Sequence, residues 1–232
     1  MNSVSAIIVA AGRGNRMKAR LPKQFLKLDN YTILQHTLTH FGKHPDIDQI
    51  ILVVAGEYIE SRELQNSIPK NFKGRNFVIC QGGDSRQESV ENGLDKLSQD
   101  SQIVIVHDGV RPFISQKIIT ENIKIAREKG AALTAIPSTD TLKEVQNNEI
   151  VTTLDRSRIW KAQTPQTFQK NIIQTAFRKA KQNDFQGTDE ASLVEKIHPV
   201  HIVQGSKYNF KITHREDLLM ARAYLKERAS WK

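Results

Sequence analysis

Ala6-Ile7-Ile8-Val9-Ala10-Ala11-Gly12-Arg13-Gly14-Asn15-Arg16-Met17, followed by Leu21-Pro22-Lys23-Gln24, is the stretch whose reading decides the fold. The apolar run is continuous rather than alternating, as in a strand covered on both faces, and it ends abruptly in small residues and two glycines. A buried strand therefore opens into a loop whose backbone can approach a ligand closely. Arg16 and Lys23 add cationic side chains, and the segment reads as a phosphate cradle. The dinucleotide pattern G-x-G-x-x-G is excluded because Met17 stands where its third glycine belongs, and no G-K-[ST] follows for a P-loop. A plain turn after a strand remains an open reading of Gly12 and Gly14.

Outward from this segment, similar runs recur at 49–55, 77–81, 103–107 and 131–136, with helix-like segments between most of them. Ile33, Leu34, Thr37, Leu38 and Phe41 have helical spacing, as do Ile118, Ile119, Ile123 and Ala126, the latter closed by Gly130. This rhythm predicts an α/β fold: a Rossmann-like, doubly wound, mostly parallel sheet with helices on both faces and its ligands at the strands' carboxyl ends. Beyond Pro137 the rhythm changes. Short strand-like pieces at 141–145 and 150–154 flank Gln146-Asn147-Asn148-Glu149, which predicts a projecting β-hairpin arm. Helices follow at 170–182 and near 188–196, the second capped by Thr188, then a strand at 200–203 and a closing helix at 214–227. The whole of 1–232 reads as one domain, with 138–165 as an excursion.

Composition excludes several classes. The chain has 232 residues, 38% hydrophobic and 25% charged, ordinary for a globular protein and unlike a disordered one. No apolar run approaches the ~20 residues that span a membrane, and Met1-Asn2-Ser3-Val4-Ser5 carries no basic leader, so a cytoplasmic protein is expected. Cys80 is the only cysteine, which leaves no disulfide framework, and its apolar surroundings predict a packed small hydrophobe. The net charge of +9 raises nucleic acid as a partner, but the cations are scattered, with no basic run and no interleaved aromatics. A small polyanion such as a nucleotide explains the charge equally well. His36 and His40 lack the glutamate of a zinc helix, and His198 and His201 lack nearby ligands.

Each remaining polar cluster falls at the end of an expected strand. Gln81-Gly82-Gly83-Asp84-Ser85-Arg86 offers either a backbone surface for a base or sugar, or a turn capped by Asp84 or Ser85. His107-Asp108-Gly109-Val110-Arg111-Pro112 sets a carboxylate beside an arginine, for a hydroxyl, for a metal, or as a structural ion pair. Thr153-Leu154-Asp155-Arg156-Ser157-Arg158-Ile159-Trp160 continues into Lys161-Ala162-Gln163-Thr164-Pro165-Gln166-Thr167, a polar stretch that a solvated loop also explains. Gly205-Ser206-Lys207-Tyr208-Asn209-Phe210-Lys211-Ile212-Thr213 adds a glycine turn and the cation Lys211.

Assembled, these pieces resemble the 2-C-methyl-D-erythritol 4-phosphate cytidylyltransferase family of the nucleotide-diphospho-sugar transferase superfamily. The shared motifs are A-A-G-x-G-x-R-M…P-K-Q at 10–24, G-G-x-x-R-x-x-S-V at 82–90 and H-D-x-x-R-P at 107–112. T-L-D-R-S…W-x-A-Q-T-P-Q at 153–166, T-D-E-A-S-L-V-E at 188–195 and N-x-K-I-T at 209–213 complete the set. Gly109-Val110 departs from the two alanines of many members and is also similar to ribitol-5-phosphate cytidylyltransferases, which makes ribitol 5-phosphate the alternative acceptor. A sugar-1-phosphate nucleotidyltransferase using another base, and a non-catalytic nucleotide- or RNA-binding protein, are the remaining readings.

The resemblance implies attack by a polyol phosphate on the α-phosphorus of CTP, with loss of pyrophosphate and no covalent enzyme intermediate. Mg²⁺ is implied as the divalent cation, held mainly by triphosphate oxygens and water, with no protein ligand assigned. Arg16 and Lys23 are implied to stabilise the charge at phosphorus. Ala10, Ala11, Gly12, Gly14, Gly82, Gly83, Asp84 and Ser89 are implied to hold the nucleotide, and Arg156 and Lys211 to orient the acceptor phosphate. Asp108, Arg111 and Thr141 are implied to lie beside the polyol. The arm is implied to reach a second subunit, so that a homodimer completes each site through Arg156.

Overall fold

The computed structural model describes residues 3–12, 21–72 and 76–230. In chain order, β1 (Ser3–Ala10) is followed by the short pair β2 (Lys27–Leu28) and β3 (Tyr31–Thr32), then α1 (Ile33–Gly42), β4 (Gln49–Val54), α2 (Arg62–Ser67), β5 (Asn76–Gln81) and α3 (Arg86–Leu94). β6 (Ser101–Asp108), α4 (Gln116–Lys129) and β7 (Ala131–Pro137) complete the first half. The arm strands β8 (Lys143–Gln146) and β9 (Glu149–Thr153) come next, then β10 (Trp160–Gln169), α5 (Lys170–Gln182), α6 (Glu190–Val194), β11 (His201–Gln204) and α7 (Arg215–Ser230).

Seven strands form one sheet in the order β11-β7-β10-β6-β1-β4-β5. β1 runs parallel to β4 and β6, β4 to β5, and β7 to β11, whereas β10 is antiparallel to both its neighbours. The pleat explains the continuous apolar runs. Val4, Ala6, Ile8 and Ala10 of β1 pack on one face with Leu34 and Phe41 of α1, Leu64 of α2 and Ile119 of α4. Ile7 turns to the other face, with Val90 of α3, Phe177 of α5 and Leu193 of α6. The sheet is thus covered on both sides, as a doubly wound fold requires. Among the described residues no helix is long and apolar enough to cross a membrane, and Cys80 is buried.

The arm is a hairpin whose two turn residues, Asn147 and Asn148, have φ of 50° and 65°. Both positions of such a tight turn demand the left-handed region, which asparagine tolerates better than other side-chain-bearing residues.

Three sequence expectations are corrected. Of the excursion expected at 138–165, with strands at 141–145 and 150–154, the hairpin strands occupy 143–146 and 149–153, and residues 160–165 belong to β10 of the main sheet. The polar stretch at its centre is no solvated loop: Gln163, Thr164, Gln166 and Thr167 are all 5% exposed or less. α6 begins at Glu190 and is capped by Asp189, whose carboxylate accepts from Ser192 N, so Thr188 is not its cap.

Candidate active site

A cleft of about 810 Å³ opens at the carboxyl ends of β1, β5 and β6. Ala10, Ala11, Gly12 and Lys23 line it from the first loop, and Gly82, Gly83, Asp84 and Ser89 line it from the loop after β5. Asp108 at the end of β6 and Lys211 near the C-terminal helix join them. Gly14 and Arg16 lie outside the described residues.

The first loop is held by a residue that motif reading passed over. Gln24, 2% exposed, donates through Nε2 to the carbonyls of Ala10 and Gly12 at 2.7 and 3.1 Å. That fixes the path of the backbone across the cleft, and the short helical turn Lys23–Phe25 brings Lys23 to the same wall. Among the described residues, a Cβ added at Gly12 would meet nothing within 4 Å. No packing contact of those residues therefore requires glycine there.

The second loop gives the opposite result. A Cβ on Gly82 would stand 2.4 Å from Cβ of Ala11 and 2.8 Å from Oγ of Ser89, so this glycine lets the two cleft loops touch. Ser89 Oγ donates to Ser85 O at 2.9 Å and accepts from Gly83 N at 3.1 Å, shaping the loop from beneath. Ser85 caps α3 in a box with Glu88. The segment 81–86 is thus a turn capped by Ser85 and at the same time lines the cleft.

Asp108 is the electrostatic centre. It is 4% exposed, and its Oδ2 meets Arg111 Nε at 3.2 Å and Lys211 Nζ at 3.1 Å. Its Oδ1 lies 3.4 Å from both Nε and Nη2 of Arg86. Burial alone would raise the Asp108 pKa, but Lys211, Arg86 and Arg111 hold the carboxyl far below the usual range. Arg86 also donates from Nη1 to the buried Glu190. Burial opposes the charge of Arg86, yet Glu190 and Asp108 carry its pKa above the ordinary arginine value. Three cations face two carboxylates, which leaves one positive charge beside the cleft.

Behind Asp108, a buried network fixes the strand ends. Arg111 O can only accept, so Nε2 of His107 carries the proton that faces it at 3.3 Å; in the neutral ring Nδ1 then accepts from Thr164 Oγ1 at 3.0 Å, and that oxygen accepts from Asp108 N at 3.1 Å. His107 is accordingly a neutral scaffold imidazole; burial depresses its pKa to about 3. Arg111 Nη1 donates to Asn209 O, and Asn209 Nδ2 to Thr164 O. Gln166 binds α6 through Asp189 Oδ2 at 2.7 Å and Ala191 N at 2.8 Å. The Gln163-Thr164-Pro165-Gln166 motif therefore braces the site from within the sheet, behind the residues that line it.

Gly109 also has a packing reason, since an added Cβ would lie 3.0 Å from Cβ of Ala10 and 3.2 Å from Val9 O. Arg111 reaches the cleft through Asp108 and does not line it. Thr141 and Arg156 are not brought there within one chain: both are exposed, Arg156 in the turn Arg156–Arg158 at the base of the arm. The cleft carboxylates Glu57, Asp84 and Asp108 belong to no group of three metal-ligating side chains among the described residues, and Asp108 is already compensated by its cations.

Comparison with known proteins agrees over nearly the whole chain. The family model described as 2-C-methyl-D-erythritol 4-phosphate cytidylyltransferase matches residues 4–227. The protein of that name from Syntrophus aciditrophicus is 45% identical over 227 residues, covering 97% of this chain and 96% of the relative. The Clostridioides difficile protein of the same name is 42% identical, covering 95% and 93%. Among solved structures, the 4-diphosphocytidyl-2C-methyl-D-erythritol synthase of Anaerococcus prevotii superposes with a TM-score of 0.84 at 32% identity, covering 97% and 96%. The Francisella tularensis 2-C-methyl-D-erythritol 4-phosphate cytidylyltransferase gives 0.79 at 32%, covering 96% and 99%.

Proposed function

The chain belongs to the 2-C-methyl-D-erythritol 4-phosphate cytidylyltransferase family, and on that premise we propose how its cleft moves CMP from CTP to 2-C-methyl-D-erythritol 4-phosphate. The enzyme is a nucleotidyltransferase of isoprenoid precursor synthesis by the non-mevalonate route, releasing pyrophosphate and 4-diphosphocytidyl-2-C-methyl-D-erythritol. One observation carries the assignment of roles: residues of four motifs that are far apart in sequence line a single cleft at the carboxyl end of the sheet.

In this reading the triphosphate lies along the Ala10–Gly12 backbone, and Gly82, Gly83, Asp84 and Ser89 border the cytidine. An oxygen of the acceptor phosphate attacks the α-phosphorus while the bond to the bridging oxygen breaks, and pyrophosphate carries that oxygen away. Charge grows on the α-phosphate oxygens; we assign Lys23 of the cleft wall to meet it, together with Arg16, which the motif supplies from outside the described residues. Lys23 costs little reorganisation because its neighbour Gln24 is bonded to the backbone at the end of β1 and at Gly12. Asp108 and Lys211 take the acceptor end, with Arg111 steadying Asp108. Mg²⁺ would enter with the substrate as MgCTP, held mainly by triphosphate oxygens and water, where it would screen the triphosphate charge.

The arm presents Val145, its cross-strand partner Ile150 and, from the next position of β9, Val151 to solvent at 55–64% exposure, apolar surface that suits a second copy of the chain. Arg156 and Thr141 then serve the partner's cleft, and the active species is a homodimer. A cytoplasmic location fits the CTP substrate and the lone buried cysteine. Phosphorus NMR of the enzyme with MgCTP and methylerythritol phosphate tests the reaction: a diphosphodiester and free pyrophosphate must appear in equal amounts. CTP hydrolysis to CMP, with the acceptor untouched, would refute it.

A further inference from the structure

Arg86 and Glu190 have no place in the account above, yet they are bound to its most buried charge. Glu190 has a side chain only 2% exposed, and its helix start is clamped to β10 by Gln166. It grips Nη1 of Arg86, the first residue of α3, while the other edge of the same guanidinium faces Oδ1 of Asp108. A planar, always charged fork presents separate edges to two carboxylates in a fixed geometry, whereas a lysine offers one compact, flexible ammonium. The contacts to Asp108 are long, at 3.4 Å, so Glu190 holds the guanidinium and its charge acts on Asp108 across that gap.

We propose that Arg86, clamped by Glu190, is a positioning residue for the acceptor. By occupying Oδ1 it confines Lys211 and Arg111 to Oδ2, and so sets where Lys211 meets the incoming phosphate. The same side chain ties the nucleotide loop at 82–85 to the acceptor end of β6. The inference rests on the assignment of Asp108 and Lys211 to the acceptor. Without Arg86, the buried carboxylate draws Lys211 fully onto itself, and the phosphate must compete for it.

The test is steady-state kinetics of the full-length chain on MgCTP and methylerythritol phosphate. The variants are the charge-neutral double Arg86→Gln/Glu190→Gln, which leaves no lone buried carboxylate, and Arg86→Lys, which retains one cation. The double variant is expected to raise KM for the acceptor roughly tenfold with KM for CTP within about twofold. Arg86→Lys is expected to show the same split at roughly threefold, and it decides the matter if the double variant does not fold. An equal or larger rise in KM for CTP, or no rise in either, would overturn the proposal. Lys211→Ala serves as the control. If it leaves the acceptor KM unchanged, the acceptor assignment fails; if it raises that KM while the Arg86 variants do not, the positioning role alone fails.

Discussion

Lys211 Nζ lies 3.1 Å from Oδ2 of Asp108, so two side chains assigned to the acceptor are bonded to each other before any substrate arrives. The carboxylate holds the flexible lysine at the cleft and preorganises it. Asp108→Asn keeps the shape and removes the charge. We expect kcat/KM for the acceptor to fall about 10- to 100-fold with little change in CTP affinity, as for a lost charge-assisted contact. Because Arg111 is 11% exposed and loses its partner, stability should also fall, by about 1–3 kcal/mol in urea titration. An unchanged acceptor KM would contradict the assignment.

The two cleft glycines make opposite predictions. Gly12→Ala meets no described residue within 4 Å and should leave Tm unchanged while weakening CTP binding at least about tenfold, because the methyl fills room assigned to the nucleotide. Gly82→Ala drives a methyl into Ala11, and should cost about 1–3 kcal/mol of stability as well as CTP affinity. Calorimetric titration with CTP and thermal melts of both variants separate the cases. Full CTP affinity in Gly12→Ala would remove the close backbone approach from the account.

A buried neutral His107 sets the sign of one pH effect. Its pKa is about 3 when folded against 6.5 for the ordinary group, so between those values the unfolded chain binds the extra proton. Stability from this group is complete above about pH 6.5 and is lost as pH falls toward 3, by at most about 1.4 kcal/mol per pH unit. Asp108 adds to acid lability only lower down, because its depressed pKa keeps its contribution intact until pH falls below the ordinary carboxylate range. His107→Asn should be less stable at neutral pH but flatter between pH 6.5 and 4. Equal slopes for both proteins in denaturant titrations over that window would refute the neutral scaffold.

If the arm carries Arg156 to a neighbour, the two halves of one site come from different chains. Arg156→Ala and Lys23→Ala should each be nearly inactive alone, Lys23→Ala by about 10²- to 10³-fold in kcat. Mixed and allowed to exchange, they form heterodimers with one intact site, and activity should return toward one quarter of the wild-type level. No recovery on mixing, with exchange verified by mass, would place Arg156 in its own chain's cleft or outside the mechanism.

How much of this was legible in sequence varies by element, for physical reasons. β1, β4 and β6 announce themselves because strands covered on both faces are continuous apolar runs, and the hairpin turn because Asn147-Asn148 suits left-handed backbone. β10 did not, although it is an interior strand of the sheet, paired on both sides. Gln163, Thr164 and Gln166 look like loop residues, and only partners 23–57 positions away make their burial tolerable. Arg86 and Glu190 are 104 residues apart, and nothing local in either motif reveals the pair. The cleft residues were found because each motif follows a strand; Gln24, which holds the first loop, was quoted within a motif without a role. Arg156 and Thr141 stand outside the single-chain cleft, where one chain's geometry gives them nothing to act on.

The most direct measurement is kcat/KM for pyrophosphate release from MgCTP with methylerythritol phosphate and with ribitol 5-phosphate, side by side on the same enzyme. The account predicts efficient turnover with methylerythritol phosphate and a value at least about 10²-fold lower with ribitol 5-phosphate, the discrimination expected of a pocket fitted to the branching methyl against a longer acceptor that carries a further hydroxyl instead. Equal values, or preference for ribitol 5-phosphate, would contradict it.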